Sequence, residues 1–218
     1  MSLHYDNTAR GIFLRRLNRF AAEIEVNGSI ERVHVRNTGR CTSVISPGAE
    51  VSLQRSGDPS RSTAWTLIAV NTPEYGWVNL DSLAPNKMAG EWLREQGFEL
   101  IRPEYRFGES RIDFYAERNS ERYLIEVKGC TLERGGIGLF PDAPTARGAK
   151  HLRELSRAAE KGYHPVIAFV IMLRGIAEVR PNAGIDPVFA EEFQRAVNAG
   201  VKPVYIPCRC TAEDIILI

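Results

Sequence analysis

The chain has 218 residues, enough for one large domain or two small ones. Its 44% hydrophobic and 25% charged residues are ordinary for a globular protein, and a net charge of +1 means that any nucleic-acid binding must come from local patches. The four cysteines lack a Cys-x-x-Cys pair, and no signal peptide or long apolar run is evident, so we expect reduced thiols, a cytoplasmic location and no membrane span.

The first part of the chain predicts short strands separated by turns. We expect these strands at 11–17, 20–26, 30–35, 50–54, 65–70 and 77–80. So many short strands in this length favour a small OB-like barrel, which we place at residues 1–84. Arginines recur along it and could bind phosphate, or they could be exposed charges balanced by acids.

Residues 85–218 alternate strands with helices, which predicts an α/β layer domain and an α/β (α+β overall) fold class for the chain. We expect helices at 87–96, 146–161 and 189–199. We expect strands at 98–107, 111–117, 122–128, 165–173, 201–206 and 215–217. The Gly-rich segment 134–138 is expected to be a flexible bend.

The strands at 111–117 and 122–128 are separated by four polar residues and predict a β-hairpin. Because successive strand side chains point to opposite faces, Glu126 and Lys128 share a face, and Asp113 could lie on it too. Two carboxylates can bind Mg²⁺, and a lysine can stabilise charge on a phosphorane, which is the Asp…Glu-x-Lys pattern of PD-(D/E)XK nucleases. The alternative is a surface hairpin with a cross-strand ion pair.

Longer motifs surround this triplet and resemble the sugar fermentation stimulation protein A (SfsA) family, whose members are described as DNA-binding proteins or DNA/RNA nucleases. The resemblance covers the whole chain. Its pieces include Arg16-Leu17-Asn18-Arg19-Phe20, Asn37-Thr38-Gly39-Arg40, Pro85-Asn86, Ser110-Arg111-Ile112-Asp113-Phe114, Glu126-Val127-Lys128, Phe140-Pro141-Asp142-Ala143 and Arg147-Gly148-x-Lys150-His151-Leu152.

The resemblance implies an N-terminal OB-fold, a C-terminal PD-(D/E)XK nuclease-like domain, DNA (alternatively RNA) as partner, and Mg²⁺ or Mn²⁺ as cofactor. It assigns catalysis to Asp113, Glu126 and Lys128. The chain departs from the family pattern at Arg36, at Asp81-Ser82 and at residues 41–43, all in or beside the barrel.

Further site candidates follow from these motifs. Glu104 is either a third metal ligand or a solvent-facing charge. His151 either takes part in acid–base chemistry beside nucleic acid or has a structural role. The candidates for contact with nucleic acid are Arg16, Arg19, Arg36, Arg40, Arg111, Arg147, Lys150 and His151.

Two functions from different classes fit these residues. One is a Mg²⁺-dependent nuclease, and the other is a non-catalytic DNA-binding regulator of sugar-metabolism genes that keeps a nuclease fold. Two unpaired carboxylates in a phosphate groove would repel DNA, which favours the nuclease. The oligomeric state stays open, with a dimer as one option.

Overall fold

The computed structural model describes residues 2–37, 39, 41–58 and 60–218. Within these ranges the elements are, in chain order, β1 (Ser2–His4), β2 (Thr8–Asn18), β3 (Ala21–Val26), β4 (Ser29–Val35), β5 (Glu50–Arg55), β6 (Trp65–Thr72), β7 (Gly76–Asn79), α1 (Ala84–Glu95), β8 (Leu100–Phe107), β9 (Ser110–Arg118), β10 (Glu121–Cys130), β11 (Glu133–Arg134), β12 (Ile137–Phe140), α2 (Ala146–Glu160), β13 (His164–Ile171), β14 (Val179–Pro181), α3 (Pro187–Asn198), β15 (Lys202–Cys210) and β16 (Asp214–Leu217).

Strands β2 to β6 form a closed five-stranded barrel. They follow the order β4-β3-β2-β5-β6, and pairing between β4 and β6 closes the ring, while β7 adds to β6. The barrel interior is apolar because alternate residues point inward, among them Ile24, Val33 and Leu53, all fully buried. Asn27 and Gly28 turn β3 into β4 with φ of 52° and 79°, as two-residue hairpin loops require.

The other main part of the fold is a seven-stranded sheet in the order β1-β16-β15-β13-β10-β9-β8. Strands β10, β13 and β15 run parallel, and β13 is buried along nearly its whole length, as its continuous apolar sequence predicts. Helices α1 and α2 cover opposite faces of β9 and β10. Gly90 of α1 lies against the Phe114 ring, whereas His151 of α2 contacts Glu126, whose side chain points to the other face.

Strand β1 was not predicted from the sequence. It joins the sheet by antiparallel pairing with β16, with Leu3 opposite Ile215. In chain order, the barrel is therefore inserted between β1, an edge strand of the sheet, and α1, the first helix that packs on the sheet.

The junction between barrel and sheet is built around Asp81, which is 2% exposed. Its Oδ2 accepts hydrogen bonds from Arg36 Nη1 at 2.8 Å and from the Tyr5 hydroxyl at 3.2 Å, and its Oδ1 accepts one from the Leu83 amide at 3.1 Å. This carboxylate therefore ties together the barrel, the segment after β1 and the start of α1. Pro85 fits the first turn of α1, which is why the helix begins before residue 87.

The segment predicted as a flexible bend is instead a short hairpin, and that expectation was wrong. Gly135 and Gly136 take φ of 63° and 82°, which lets β11 turn back tightly onto β12. Strand β12 also pairs in parallel with β14. Within the part of the chain that the structure describes, no helix has the length and apolar character needed to cross a bilayer.

Candidate active site

The regular pairing between β9 and β10 stops where the two carboxylates meet. It runs from Glu121 opposite Arg118 to Ile125 opposite Phe114, so the next opposed residues would be Glu126 and Asp113. There Asp113 Oδ2 accepts a hydrogen bond from the Val127 amide at 2.8 Å. The side chain of Asp113 thus takes the place of a ladder bond at this point of the hairpin, and the charge of Glu126 is close enough to act on it.

The carboxylate of Glu126 is almost fully buried, with 2% of the residue exposed. Its Oε1 accepts a hydrogen bond from Lys128 Nζ at 2.6 Å and contacts His151 Nδ1. Its Oε2 is buried and has no hydrogen-bond partner. Burial opposes ionisation, but the nearby Lys128 charge and the His151 bond outweigh it and hold the pKa of Glu126 below its usual value.

Asp113 is half-buried, and each of its oxygens accepts one hydrogen bond. Asn86, in the first turn of α1, donates to Oδ1 at 2.8 Å, and the Val127 amide donates to Oδ2. Burial and the neighbouring Glu126 charge raise the pKa of Asp113. The two negative charges repel each other, and a cation bound between the carboxylates would remove this repulsion.

These surroundings fit a hard divalent cation. A buried oxygen without a partner is unfavourable, and it is the kind of atom that a metal ion satisfies. No group of three His, Cys, Asp or Glu side chains suited to a metal occurs among the described residues. A cation bound by Asp113 and Glu126 alone would take its remaining ligands from water. Mg²⁺ commonly binds in this way, through one or two carboxylates and several waters.

Glu104 lies across the sheet from Asp113, in the gap between the Pro103–Phe114 and Tyr105–Ile112 pairs. Its φ of 55° turns it out of the regular strand, and its side chain forms an ion pair with Arg111 at 3.2 Å. Glu104 and Asp113 line the same groove, so Glu104 as a metal ligand stays a prediction. The Arg111 side chain is exposed, but its guanidinium is paired with the Glu104 carboxylate.

Three of the four barrel arginines proposed to contact phosphate lie in the described part of the chain. Arg16 donates to the carbonyls of Asn18, Arg19, Asn37 and Gly39, at 2.5 to 3.2 Å, so it organises two turns. Arg36 is paired with Asp81. Only Arg19 is exposed with its guanidinium free of such bonds, lying over the Phe20 ring at 4.8 Å. Arg40 lies outside the described residues.

The α2 candidates divide into exposed and buried groups. Arg147 is exposed and its Nε lies 3.4 Å from His151 Nε2, and Lys150 donates to the Glu109 carbonyl at 3.2 Å. His151 is only 5% exposed, which leaves almost no ring surface for nucleic acid and favours the structural alternative. If Arg147 donates to Nε2, then Nδ1 carries the proton that is donated to Glu126.

Two contacts in the site were not predicted from the sequence. Asn86 holds Asp113, and its only signal was the family-like Pro85-Asn86 pair. The contact between His151 and Glu126 joins residues 25 positions apart on a helix and a strand, so no spacing rule reveals it.

Comparison with known proteins identifies the family. The family model for the SfsA N-terminal OB domain matches residues 14–80, and that for the sugar fermentation stimulation protein RE domain matches residues 83–214. The sugar fermentation stimulation protein homologue of Desulfitobacterium hafniense (strain DSM 10664 / DCB-2) is 41% identical, covering 98% of this chain and 94% of its own. The homologue of Ruminiclostridium cellulolyticum is 40% identical, covering 94% and 92%.

A solved structure matches as well. Pyrococcus furiosus SfsA in complex with Ca²⁺ superposes with a TM-score of 0.87 at 28% identity, covering 99% of this chain and 95% of that one. The protein thus has a mixed α/β fold with an N-terminal OB domain, and it belongs to the SfsA family. The fold class and the family predicted from the sequence are both confirmed.

Proposed function

We propose that this protein binds DNA, or alternatively RNA, and hydrolyses its phosphodiester bonds with Mg²⁺ or Mn²⁺ bound at Asp113 and Glu126. The observation that carries this proposal is the buried, unpartnered Oε2 of Glu126 beside a second carboxylate and a lysine. The Ca²⁺ complex of the Pyrococcus furiosus relative supports it, because Ca²⁺ is also an oxygen-bound divalent cation. Four free cysteines, three of them buried, support a cytoplasmic location.

Each side chain of the site has its own role in the proposed reaction. A bound divalent cation would polarise a phosphoryl oxygen and lower the pKa of a bound water. Asp113 and Glu126 hold it, while Asn86 and His151 keep these two carboxylates in place. Lys128, which shares a strand face with Glu126, stabilises the negative charge that develops on the phosphate in the transition state.

The decisive experiment measures single-turnover cleavage beside equilibrium binding, on single- and double-stranded DNA and RNA, with Mg²⁺, Mn²⁺ or chelator. We expect Lys128→Met to lower the cleavage rate about a hundredfold or more, as for loss of one electrostatic stabiliser. Asp113→Asn should do the same by weakening metal binding. Nucleic-acid affinity should fall only modestly, since other phosphate contacts remain.

Glu121→Gln is the matched control, since it removes a carboxylate from the exposed start of the same strand and should leave cleavage unchanged. Metal-dependent activity that persists undiminished in Lys128→Met would come from a contaminant or another site and would refute the assignment. So would equal rates with metal and with chelator.

The second candidate function is a non-catalytic DNA-binding regulator. One observation favours it: Lys128 and His151 already stabilise the Glu126 charge without a metal. This function predicts binding without cleavage, and a Lys128→Met variant that differs from the wild type only in its affinity for DNA.

A further inference from the structure

A groove of about 430 Å³ lies on the outer face of the barrel. Its floor is the β3–β4 pair, where Ala21 stands opposite His34. The β2–β3 turn with Phe20 forms one wall, and the loop before β6 with Arg61 forms the other. Arg32 of β4 completes the lining, and we call this site the Phe20 groove (Phe20, Ala21, Arg32, His34, Arg61). Of the barrel arginines predicted from the sequence to contact phosphate, the three that the structure describes (Arg16, Arg19 and Arg36) do not line it.

The Phe20 groove carries positive charge from Arg32 and Arg61. Among the described residues no Asp or Glu lines it. Glu23 stands opposite Arg32 in the strand register, but its carboxylate is paired with Arg15 at 2.7 Å. Asp58 accepts its side-chain hydrogen bonds from Ser60, which are the main causes of its lowered pKa, and the charge of Arg61 contributes least to that shift.

The His34 ring lies close to two arginine charges. Burial is the largest cause of the lowered pKa of His34, and the charges of Arg61 and Arg36 add to it, while a backbone hydrogen bond at Phe20 and the charge of Asp81 act in the opposite direction. The cations around this ring therefore repel additional positive charge. An anion in the groove would relieve that repulsion.

Phe20 supplies an exposed aromatic ring at the rim. It is 48% exposed, and it is the only aromatic among the exposed large hydrophobic residues of the described chain. The Arg19 guanidinium lies over it. An exposed ring flanked by arginines is the combination on which proteins stack unpaired bases while they bind the phosphates between them.

We propose that the Phe20 groove binds a single-stranded segment of nucleic acid, with a base stacked on Phe20 and phosphates bound by Arg32 and Arg61. A duplex keeps its bases stacked on each other, so only an unpaired strand offers a free base face to the ring. The volume lies in the range of small-ligand sites, about 300–1,000 Å³, and the groove occupies a strand-and-loop face that OB-folds use for oligonucleotides. This inference rests on the proposed function, to which it adds the strandedness of the bound segment.

The experiment measures equilibrium binding of labelled oligo-dT, oligo-rU and a duplex of equal length, with chelator present so that no cleavage occurs. The variants are Phe20→Ala and the double variant Arg32→Gln/Arg61→Gln. Ile30→Ala and Arg55→Gln are matched controls, because both side chains are exposed on the barrel outside the groove. Thermal unfolding checks that each variant is folded.

We expect Phe20→Ala to lose about tenfold or more in single-strand affinity and much less for the duplex. The double variant should lower the salt slope of single-strand binding by about 0.7 for each lost phosphate contact. The dT and rU arms show whether the groove distinguishes DNA from RNA. Equal losses for single strand and duplex, or losses no larger than in the controls, would overturn the proposal.

The binding experiment and the nuclease assay test the two proposals independently. If groove variants lose single-strand binding in chelator while no metal-dependent cleavage is ever observed, the groove stands and the nuclease proposal fails. If cleavage is confirmed and the groove variants bind normally, the reverse holds.

Discussion

At Glu126 the two carboxylate oxygens have different surroundings, and His151 is partly responsible. Lys128 and His151 both bind Oε1, so the carboxylate cannot rotate without breaking two contacts. Its other oxygen, Oε2, is thereby held in place, buried and without a hydrogen-bond partner. In the proposed metal site, His151 would position Glu126 as a ligand, in the way that hydrogen-bonded partners orient ligands in known metal sites.

This role predicts a graded response to substitution of His151. His151→Leu should weaken Mn²⁺ binding about 10- to 100-fold, as for loss of an outer partner of a metal ligand. His151→Gln keeps an N–H donor and should retain more of the affinity. Calorimetric titration with Mn²⁺ measures this, with Asp113→Asn as the reference that lacks a ligand.

If His151→Leu binds Mn²⁺ as tightly as the wild type, His151 does not position Glu126. A loss that is equal in the Leu and Gln variants would mean that ring packing matters rather than the hydrogen bond. Thermal unfolding of the metal-free variants shows whether either substitution has disturbed the core around α2.

At the scale of elements, the three-residue strand β1 is held to β16 by a charged contact as well as by its ladder. His4 Nδ1 lies 2.7 Å from Asp214 Oδ1, and Nε2 lies 3.5 Å from Asp6. The hydrogen bond to Asp214 is the main cause of a raised pKa for His4, and the charges of Asp214 and Asp6 add to it. The contact is therefore fully formed below the ordinary histidine pKa and is lost as pH rises through the raised value.

We expect an NMR titration of the His4 ring to show a midpoint above that of an unperturbed histidine, about 6.5. Asp214→Asn should move the midpoint back toward 6.5, and Asp6→Asn, the matched control, should move it less. A midpoint unchanged by Asp214→Asn would show that the pair does not form in solution.

The regular elements could be predicted from the sequence because their signals are local. The hairpin, the buried β13 and all three helices follow from periodicity and turn residues, with ends that shift by only a few residues. Strand β1 could not be predicted, because three residues show no periodicity and their partner lies more than 200 positions away.

For the site, spacing predicted Asp113, Glu126 and Lys128 as neighbours on two adjacent strands, and the charges of Glu126 and Lys128 do act on Asp113. Spacing could not show that Arg16 would bind backbone carbonyls or that Arg36 would pair with Asp81. A guanidinium bonds carbonyl, carboxylate and phosphate oxygens alike, so its residue type does not reveal its partner. The Phe20 groove was not predicted from the sequence for a similar reason, because its walls come from separate parts of the barrel.

At the scale of the whole molecule, Asp81 connects the barrel to the sheet. Its side chain is fully buried, whereas that of Arg36 is 26% exposed. Breaking a fully buried pair from one side costs about 3–5 kcal/mol, and the partial exposure of Arg36 reduces this to about 2 kcal/mol. We therefore expect Asp81→Asn to lower the free energy of unfolding by about 2 kcal/mol, with the barrel affected first.

The tryptophans allow this to be measured. In a Trp92→Phe background the remaining fluorescence comes from Trp65 and Trp77 of the barrel, while far-UV circular dichroism reports the helices of the α/β layer. Urea transitions from the two probes should coincide with Asp81 present and separate in Asp81→Asn, with fluorescence changing at lower urea. Glu25→Gln, at an exposed carboxylate of β3, is the control, and coincident transitions in Asp81→Asn would contradict the prediction.

The pairing of β1 with β16 has a mechanical consequence. The barrel is joined to the sheet by two covalent connections, one after β1 and one before α1, instead of by a single linker. Two connections leave the barrel only rotation about the line through them, and the hydrogen bonds of the buried Asp81 oppose that rotation. In the proposed nuclease, a strand held in the Phe20 groove would therefore reach Asp113 and Glu126 a set number of nucleotides away, and the barrel would act as a ruler for the position of the cut.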